Sequence, residues 1–144
     1  MPSVRDVLAR KGPDVIAVSP TTSVLEAAHL MNARGVGSVL VLEGSTLQGI
    51  FTERDVLRRV VGERRDPATT LVQEVMTHAV VTCRVETTLA ECVAVISGQR
   101  LRHLPVLGPE GLVGLISSGD VLAFQLSEQE ATIQQLNSYV YDVR

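Results

Sequence analysis

Apolar and polar positions follow the same order twice along the chain. The apolar run VIAV at 15–18 is followed by a segment with apolar residues at helical spacing, by two apolar runs joined by a tight turn, and by a second helical segment. The second round begins with VVTC at 80–83. Short apolar runs bounded by turn residues indicate strands, and a period of about 3.6 residues indicates helices. Each round therefore predicts the order β-α-β-β-α.

A shift of 65 residues places Val15–Leu57 over Val80–Leu122 without a gap, and ten of the 43 pairs are identical. Two copies of one structural unit explain this match. One unit is too small to bury its own sheet, so we expect an α/β (α+β) fold in which two tandem copies pack about a pseudo-twofold axis. The predicted regions are the first repeat at 1–62, a polar linker at 63–70, the second repeat at 71–126, and a C-terminal amphipathic helix and tail at 127–144.

Bulk composition argues against several classes of function. A net charge of −3 and 3% aromatic residues provide neither the basic surface nor the stacking platform of a nucleic-acid-binding protein. No apolar run approaches the ~20 residues of a membrane span, and the first residues lack a secretory core, so a cytoplasmic location without membrane contact is expected. Cys83 and Cys92 are separated by eight residues, outside any metal-ligand or CxxC spacing, and are predicted to be buried thiols.

Each copy ends its last strand with the same corner, GIFTERD in the first and GLISSGD in the second. The glycine allows a flat ring or a neighbouring backbone to come close. The spacing of hydroxyl and acid fits a helix capping box. It also fits a nucleotide site, since a helix N-terminus attracts phosphate and an acid one turn further can accept ribose hydroxyls. The residues concerned, for which both interpretations stay open, are Thr52, Asp55, Ser117 and Asp120.

The two-copy plan, the paired corners in register and the strand RHLPV of the second copy resemble a pair of cystathionine-beta-synthase (CBS) domains, the Bateman module. The resemblance extends from Val4 to about Leu126 and is strongest to small stand-alone bacterial CBS-pair proteins. It implies a sensor of AMP, ADP, ATP, NAD(H) or S-adenosylmethionine, with two clefts between the repeats. AMP or NAD(H) is the expected regulatory ligand, and the sequence does not identify the protein that the module regulates.

The resemblance also implies two sets of nucleotide-binding residues. In each set the corner aspartate holds ribose, the corner hydroxyl meets phosphate, and two apolar segments wall the adenine. The first set comprises Val15, Ile16, Ala17, Val36, Gly37, Thr52, Arg54 and Asp55. The second set comprises Val80, Val81, Thr82, Leu101, Arg102, His103, Pro105, Ser117 and Asp120.

Several charged residues have competing interpretations. Arg54 lies in the first helical turn after the corner, where a phosphate would lie. Lys11 is either a surface residue or a phosphate contact. His103, which replaces Ser38 of the first copy, is either structural or, beside Arg102, a donor to a diphosphate. The other arginines after the first corner are predicted to form a solvated helix face and linker.

The sequence contains no nucleophile–base pair, HxxxH or CxxC set, or Walker A loop, so no catalytic residue and no metal site are predicted. The leading hypothesis is a non-enzymatic adenine-nucleotide sensor that responds to cellular energy or redox state. The alternatives are an enzyme and a ligand-free protein-interaction scaffold that uses the same fold.

A homodimer is expected, because CBS pairs commonly associate through the helices that follow each corner. The apolar residues assigned to that surface are Val56, Leu57, Val60, Val121, Leu122 and Phe124. A further stripe on the C-terminal helix consists of Leu126, Ile133, Leu136 and Val140. This stripe either contributes to the dimer or folds back on the sheet of its own chain.

Overall fold

The computed structural model describes residues 1–12 and 14–142, and the side chains of 137–142 lie outside this description. Its helices are α1 (Val4–Lys11), α2 (Val24–Arg34), α3 (Glu53–Asp55) with a π-helix that continues it (Val56–Val61), α4 (Val72–Val75), α5 (Leu89–Gln99) and α6 (Ser118–Asp142). Its strands are β1 (Ala17–Val18), β2 (Ser38–Glu43), β3 (Thr46–Thr52), β4 (Cys83–Arg84), β5 (His103–Gly108) and β6 (Gly111–Ser117). The order β-α-β-β-α occurs twice, so the predicted fold class is confirmed.

The strands form two three-stranded sheets of identical topology. In each sheet the first strand pairs in parallel with the second, and the second pairs antiparallel with the third. Ser38 lies opposite Thr52 in the first sheet, and His103 lies opposite Ser117 in the second. These two pairs are related by the 65-residue shift, so the sequence repeat is also a repeat in space.

The first strand of each repeat is shorter than the sequence predicts. Strands are predicted at 15–18 and 80–83, whereas the ladders contain only Ala17–Val18 and Cys83–Arg84. In the first segment only Ala17 and Val18 lie opposite residues of the neighbouring strand, and in the second only Cys83 does, with Arg84 just beyond the predicted end. The segment 80–82 is therefore irregular backbone with half-buried side chains, which can line a cavity.

Each short leading helix packs into the core of the opposite repeat. Val4 and Val7 of α1 are buried beside Cys92 in the core of the second repeat. Val72 and Val75 of α4 are buried in the core of the first repeat. Burial of one such side chain contributes about 1.5–3 kcal/mol relative to exposure. Separation of the repeats would therefore disrupt both cores.

Backbone hydrogen bonds hold the leading helices in this exchanged arrangement. The amide of Val4 donates to the carbonyl oxygen of Thr87 at 2.9 Å, and the amide of Val72 donates to that of Thr22 at 2.8 Å. Thr22 and Thr87 are matched residues of the two repeats, so each helix docks at the same place on the opposite copy. Both bonds also satisfy amides in the first turn of a helix, which no residue of that helix could pair.

A glycine in the third strand of each repeat makes room for the leading helix of the other. A Cβ added to Gly49 would lie 2.7 Å from both the Sδ of Met76 and the carbonyl oxygen of Thr77. A Cβ added to Gly114 would lie 2.9 Å from Cδ2 of Leu8. The sequence allows either a flat ring or a neighbouring backbone to come close to these glycines. The structure shows the close approach of a neighbouring segment of the chain.

The helices after the corners divide the residues that the sequence assigns to one apolar surface. Val60, Val121 and Phe124 are buried, so their assignment to a surface is wrong. Leu57 and Leu122 are 64% and 56% exposed, as that assignment requires. Successive helical residues point about 100° apart, which separates neighbours such as Val121 and Leu122 onto different faces.

The helix α6 continues without a break from the second corner into the C-terminal region. Leu126, Ile133 and Leu136 are 50%, 55% and 59% exposed. This part of the stripe does not fold back on its own sheet, and Val140, its fourth predicted member, lies outside the described side chains. No helix in the described ranges is long and apolar enough to cross a membrane.

Candidate functional site

A cleft of about 850 Å³ lies between the two repeats, within the size range of small-molecule sites. The predicted binding residues that line it are Gly37, Thr52, Arg54, Val80, Val81, Leu101, Arg102, His103 and Ser117. The first three belong to the first predicted set, and the other six belong to the second. One cavity therefore brings together parts of two sets that the sequence assigns to separate clefts.

The other predicted binding residues do not line this cleft. They are Lys11, Val15, Ile16, Ala17, Val36, Asp55, Thr82, Pro105 and Asp120. Pro105 is buried in β5, and residues 15–17 and Val36 are half-buried in the first repeat. Asp55 and Asp120 accept hydrogen bonds from backbone amides at the N-termini of the helices that they cap. A nucleotide in the described cleft would therefore meet Val80 and Val81 of the second repeat and the corner hydroxyls of Thr52 and Ser117.

One part of the cleft lining is apolar. Val80 and Val81 lie in the irregular backbone before β4, and Leu101 follows the end of α5. Ile50 and Leu57 add apolar surface from the first repeat. Contact with such a surface removes the face of an aromatic ring from water, which favours the binding of a flat base.

The cleft is also strongly cationic. The arginines in its lining are Arg54, Arg58, Arg100 and Arg102. Among the described lining residues Glu53 is the one carboxylate, and no ion pair within the described ranges involves any of the four guanidiniums. Unpaired guanidiniums around a cavity raise the local concentration of anions and suit phosphate groups in particular.

Sequence reasoning missed two of these arginines. Arg58 is assigned to a solvated helix face, and Arg100 receives no role, yet both line the cleft. The signal that could have found them is the comparison of the repeats. The 65-residue shift matches Arg58 to Ala123 and Arg100 to Gly35, so each arginine is a specific departure from its copy.

Arg100 lies in a backbone conformation that favours glycine. It follows α5 with φ 54° and ψ 42°, whereas the matched Gly35 follows α2 with φ 64° and ψ 37°. The left-handed region costs a residue with a Cβ roughly 1–2 kcal/mol. Strain of this kind is concentrated at functional sites, and here it falls on a residue of the cleft.

Thr52 and Asp55 form a complete capping box. Oδ2 of Asp55 accepts from the amide and the hydroxyl of Thr52 at 3.0 and 3.2 Å, and the Asp55 amide donates to the Thr52 hydroxyl at 3.3 Å. Oδ1 of Asp55 lies 3.5 Å from the hydroxyl of Thr77 and 3.7 Å from Nε of Arg59. The capping interpretation describes this corner, and the ribose role of Asp55 stays a prediction that requires its carboxylate to turn.

The second corner has the same box and an additional partner. Oδ2 of Asp120 accepts from the Ser117 amide at 2.8 Å, and the Asp120 amide donates to the Ser117 hydroxyl at 3.0 Å. Lys11 Nζ donates to the same Oδ2. Burial alone would raise the pKa of Asp120, but the hydrogen bonds from Lys11 and Ser117 outweigh it and hold the pKa below its ordinary value. A phosphate contact of Lys11 would require this ion pair to open.

His103 is the titratable group of the cleft with a shifted pKa. Burial, followed by the positive charge of Lys11, lowers the pKa of His103, and Arg102 acts in the same direction. The opposing charge of Asp120 is weaker than burial and Lys11 but stronger than Arg102, and it does not offset the lowering. His103 is therefore neutral near pH 7 and carries one donor and one acceptor nitrogen.

The two cysteines lie outside the cleft. Cys83 and Cys92 are buried free thiols of the second core, as the sequence predicts. Burial raises the pKa of Cys83 to about 12 and also raises the pKa of Cys92. Because the thiolate is the reactive form of cysteine, both residues are packing groups of low reactivity.

The two sheets, the exchanged leading helices and the cleft between the repeats are the arrangement of a pair of CBS domains. The family model for the CBS domain matches residues 4–62 and 72–127, and the chain belongs to this family. The resemblance seen in the sequence is therefore confirmed. CBS pairs are typically regulatory and signal-transducing, and stand-alone members are generally non-catalytic.

Known proteins of similar sequence include small CBS proteins. The chain is 33% identical over 131 residues to YhcV of Bacillus subtilis, covering 91% of each protein. It is 30% identical over 147 residues to the mitochondrial protein CBSX3 of Arabidopsis thaliana, covering 96% of this chain and 71% of that protein. A solved structure of a candidate signal-transduction protein with CBS domains from Burkholderia ambifaria MC40-6 matches with a TM-score of 0.82 and 36% identity, covering 88% of this chain and 96% of that one.

Proposed function

We propose that this protein is a non-enzymatic regulatory module that binds an adenine nucleotide in the cleft between its repeats. The observation that carries the proposal is the composition of the cleft, where Val80, Val81 and Leu101 lie in the same cavity as four arginines. The apolar residues suit a flat base, and guanidiniums form charge-assisted hydrogen bonds to phosphate. CBS domains commonly bind adenine nucleotides as regulatory ligands, which agrees with this chemistry. AMP, NAD(H), ADP and ATP are the candidate ligands, and a cytoplasmic signal of energy or redox state is the proposed input.

The corner aspartates are proposed to accept ribose hydroxyls after a local rearrangement. The side chain of Asp120 is 25% exposed, whereas that of Asp55 is 8% exposed. Asp120 is therefore closer to solvent, although it must leave Lys11. We expect Asp120→Asn to weaken nucleotide binding more than Asp55→Asn does. Asparagine also caps helices well, so both variants should fold, and calorimetry compares their affinities.

Two measurements test the proposal. Mass spectrometry of small molecules released from the purified protein should detect an adenine nucleotide. Adenine nucleotides should also raise the melting temperature, because a ligand at a hundred times its Kd adds about 2.7 kcal/mol of stability. Guanine nucleotides should act less. A melting curve that none of AMP, ADP, ATP and NAD(H) shifts would count against nucleotide binding.

A substitution in the apolar lining connects the thermal shift to the cleft. Val80→Asp places a carboxylate against the base and near the phosphates, and it should abolish most of the nucleotide-induced shift. Val113→Asp is the matched control, because Val113 is 40% exposed on β6 and does not line the cleft. Equal shifts in both variants would place the nucleotide elsewhere on the protein.

A ligand-free interaction scaffold is the second candidate. The observation that favours it is that both corner aspartates accept hydrogen bonds from their own corners and that neither lines the cleft. Two results together would support this candidate. The protein should neither contain nor bind a nucleotide in the tests above, and it should capture a specific protein partner.

A homodimer is part of the proposal. The exposed residues Leu57, Val61, Leu122 and Leu126 form two pairs related by the 65-residue shift, and we propose that they make one contact surface with the pseudo-twofold symmetry of the repeats. A twofold dimer uses the same patch on both subunits. CBS pairs often form oligomers, which agrees with such a contact.

Light scattering tests the dimer and its surface separately. The full chain should have the mass of two subunits at micromolar concentration, and Leu57→Glu with Leu122→Glu should yield monomers. A chain ending at Ser127 tests the exposed stripe of α6. If the shortened chain dimerises as strongly as the full chain, α6 beyond Ser127 makes no contribution to the dimer.

A further inference from the structure

The four arginines of the cleft are not repeated by the internal symmetry. Two follow the first corner, Arg54 and Arg58, and two flank Leu101 in the second repeat, Arg100 and Arg102. The 65-residue shift matches these four residues, in order, to Gly119, Ala123, Gly35 and Gly37. Each guanidinium therefore occupies a position that is small and uncharged in the other copy. The two repeats together supply one cationic cleft, and the matching residues supply no second set of cations.

The number of arginines exceeds what a single phosphate group requires. Each guanidinium presents five N–H donors in a planar fork, and one fork can bind a phosphate through two parallel hydrogen bonds. The cluster is not a consequence of basic composition, because the protein has a net charge of −3. Four like charges around one cavity repel one another unless an extended anion lies between them. A chain of phosphates has this shape and charge.

The backbone of Arg100 provides an independent observation. Its matched residue is a glycine in the same left-handed conformation, so the fold at this position is compatible with glycine, and arginine carries a conformational cost. Arg64, with φ 58°, is the other non-glycine residue of positive φ in the described ranges, and it does not line the cleft. The conformational cost at Arg100 thus falls on a residue whose guanidinium lines the cavity, and strained residues of this kind are typical of ligand-binding sites.

We propose that the cleft selects adenine nucleotides with two or three consecutive phosphates, ADP and ATP, over AMP. The phosphate chain lies between Arg54 and Arg58 of the first repeat and Arg100 and Arg102 of the second. This inference rests on the proposed function, because it assumes that the base occupies the apolar part of the same cleft. Each phosphate beyond the first adds negative charge and acceptor oxygens that the additional guanidiniums can bind.

Calorimetry on the full chain tests this selectivity with adenosine, AMP, ADP, ATP and inorganic tripolyphosphate, in the presence of a magnesium chelator. ATP should bind at least about tenfold more tightly than AMP, since one charge-assisted hydrogen bond suffices for that ratio. ADP should be intermediate. The ratio of ATP to AMP affinity should fall as salt is added, because the guanidiniums are exposed to solvent.

Arg100→Gly is the decisive variant, because glycine fits the backbone at this position and the protein should fold. It should lower the affinity for ATP about tenfold and change the affinity for adenosine by less than about twofold. Arg64→Gly is the matched control, with the same change at a positive φ outside the cleft. Its affinity for ATP should equal that of the wild type.

The outcomes separate this inference from the proposed function. Equal affinities for AMP and ATP overturn the polyphosphate selectivity and leave adenine-nucleotide binding in place. Failure of every nucleotide to bind overturns both. Tripolyphosphate binding as tightly as ATP, with adenosine making no contribution, shows an unspecific anion site and also overturns both. An ATP affinity that is unchanged in Arg100→Gly removes the arginine from the phosphate site.

Discussion

Nζ of Lys11 lies 2.5 Å from Oδ2 of Asp120 and 2.6 Å from the carbonyl oxygen of Leu115, which ties the end of α1 to the corner of the opposite repeat. The bond is present on one side of the molecule. The leading helices α1 and α4 pack in the same way, with Val4, Val7 and Leu8 in the places of Val72, Val75 and Met76. The same spacing makes Ala79 the positional counterpart of Lys11. The first corner therefore has no corresponding lysine, and Asp55 pairs instead with Arg59 of the π-helix that continues α3, at 3.7 Å between Oδ1 and Nε.

Lys11→Ala should destabilise the protein by about 1–2 kcal/mol at pH 7, because it leaves a partly buried carboxylate without its charged donor. The folded pKa of Asp120 is lowered, so its contribution to stability is present above its unfolded pKa of 3.8 and is lost as pH falls through the folded value. The deficit of the variant should consequently be complete well above pH 3.8 and shrink as pH falls below 3.8. Urea unfolding at several pH values measures it.

The control for this prediction is Arg5→Ala. Arg5 also joins α1 to the second repeat, through an ion pair of 3.9 Å with Glu86 whose side chains are 68% and 70% exposed. Exposed pairs contribute little to stability, so this variant should unfold like the wild type. If Lys11→Ala also unfolds like the wild type, the pair with Asp120 is no stronger than a surface contact.

His103 should make nucleotide binding sensitive to pH. Its folded pKa is lowered below 6.5, so the free protein loses stability as pH falls through 6.5, where the unfolded chain takes up the proton. A bound phosphate chain favours the protonated imidazole, so nucleotide affinity should rise as pH falls below 6.5. Terminal phosphates titrate at about pH 6 and oppose this trend. Calorimetry on wild type and His103→Gln at each pH isolates the histidine, and identical pH profiles would exclude its contact with phosphate.

Arg100→Gly should increase the stability of the free protein. Relief of the left-handed strain contributes roughly 1–2 kcal/mol, and the greater freedom of glycine in the unfolded chain offsets roughly 0.5–1 kcal/mol of it. The net gain of about 0.5–1 kcal/mol corresponds to a rise in Tm of a few degrees for a protein of this size. Arg64→Gly should give a similar gain. A variant at Arg100 that is less stable than the wild type would show that the side chain has a structural role in the fold.

The sequence predicts the sheets well because their information is local. Strand and helix patterns lie within each repeat, and the 65-residue shift fixes which residues correspond, so the pair Ser38–Thr52 in one sheet implies the pair His103–Ser117 in the other. The exchange of the leading helices does not follow. The first turns of α1 and α4 carry the same apolar spacing, and either core could accept either helix by pattern alone.

The lining of the cleft is predicted only in part, because the residues that line it depend on how the two repeats pack against each other. The sequence identifies residues on both sides, such as Arg54 and Arg102, but it distributes them over two sites by symmetry. The structure places both in one cavity. The role of the aspartates could not be predicted for a different reason, since a capping box and a ribose site have the same residue spacing. Hydrogen bonds at Asp55 and Asp120 reveal the capping box, which no count of residues could separate from the alternative.

The glycines Gly49 and Gly114 provide a matched pair of substitutions for the exchanged packing. A Cβ on Gly49 would lie 2.7 Å from the backbone oxygen of Thr77, which the strand and α4 hold in place. A Cβ on Gly114 would meet the end of the flexible Leu8 side chain at 2.9 Å. Overpacking against backbone costs about 1–3 kcal/mol, whereas a side chain can move aside. Gly49→Ala should therefore lose about 2 kcal/mol or more, and Gly114→Ala less than about 1 kcal/mol.

Denaturant unfolding at pH 7 compares the two variants, and a double variant with Leu8→Ala provides the control. Because Leu8→Ala removes the atoms that a new Cβ at Gly114 would meet, the effect of Gly114→Ala should disappear in that background, apart from the cost of Leu8→Ala itself. The effect of Gly49→Ala should persist there, since the atoms that its Cβ would meet belong to Met76 and Thr77 and not to Leu8. Equal losses at both glycines, or a Gly114→Ala effect that is independent of Leu8, would contradict the packing of α1 on the second sheet.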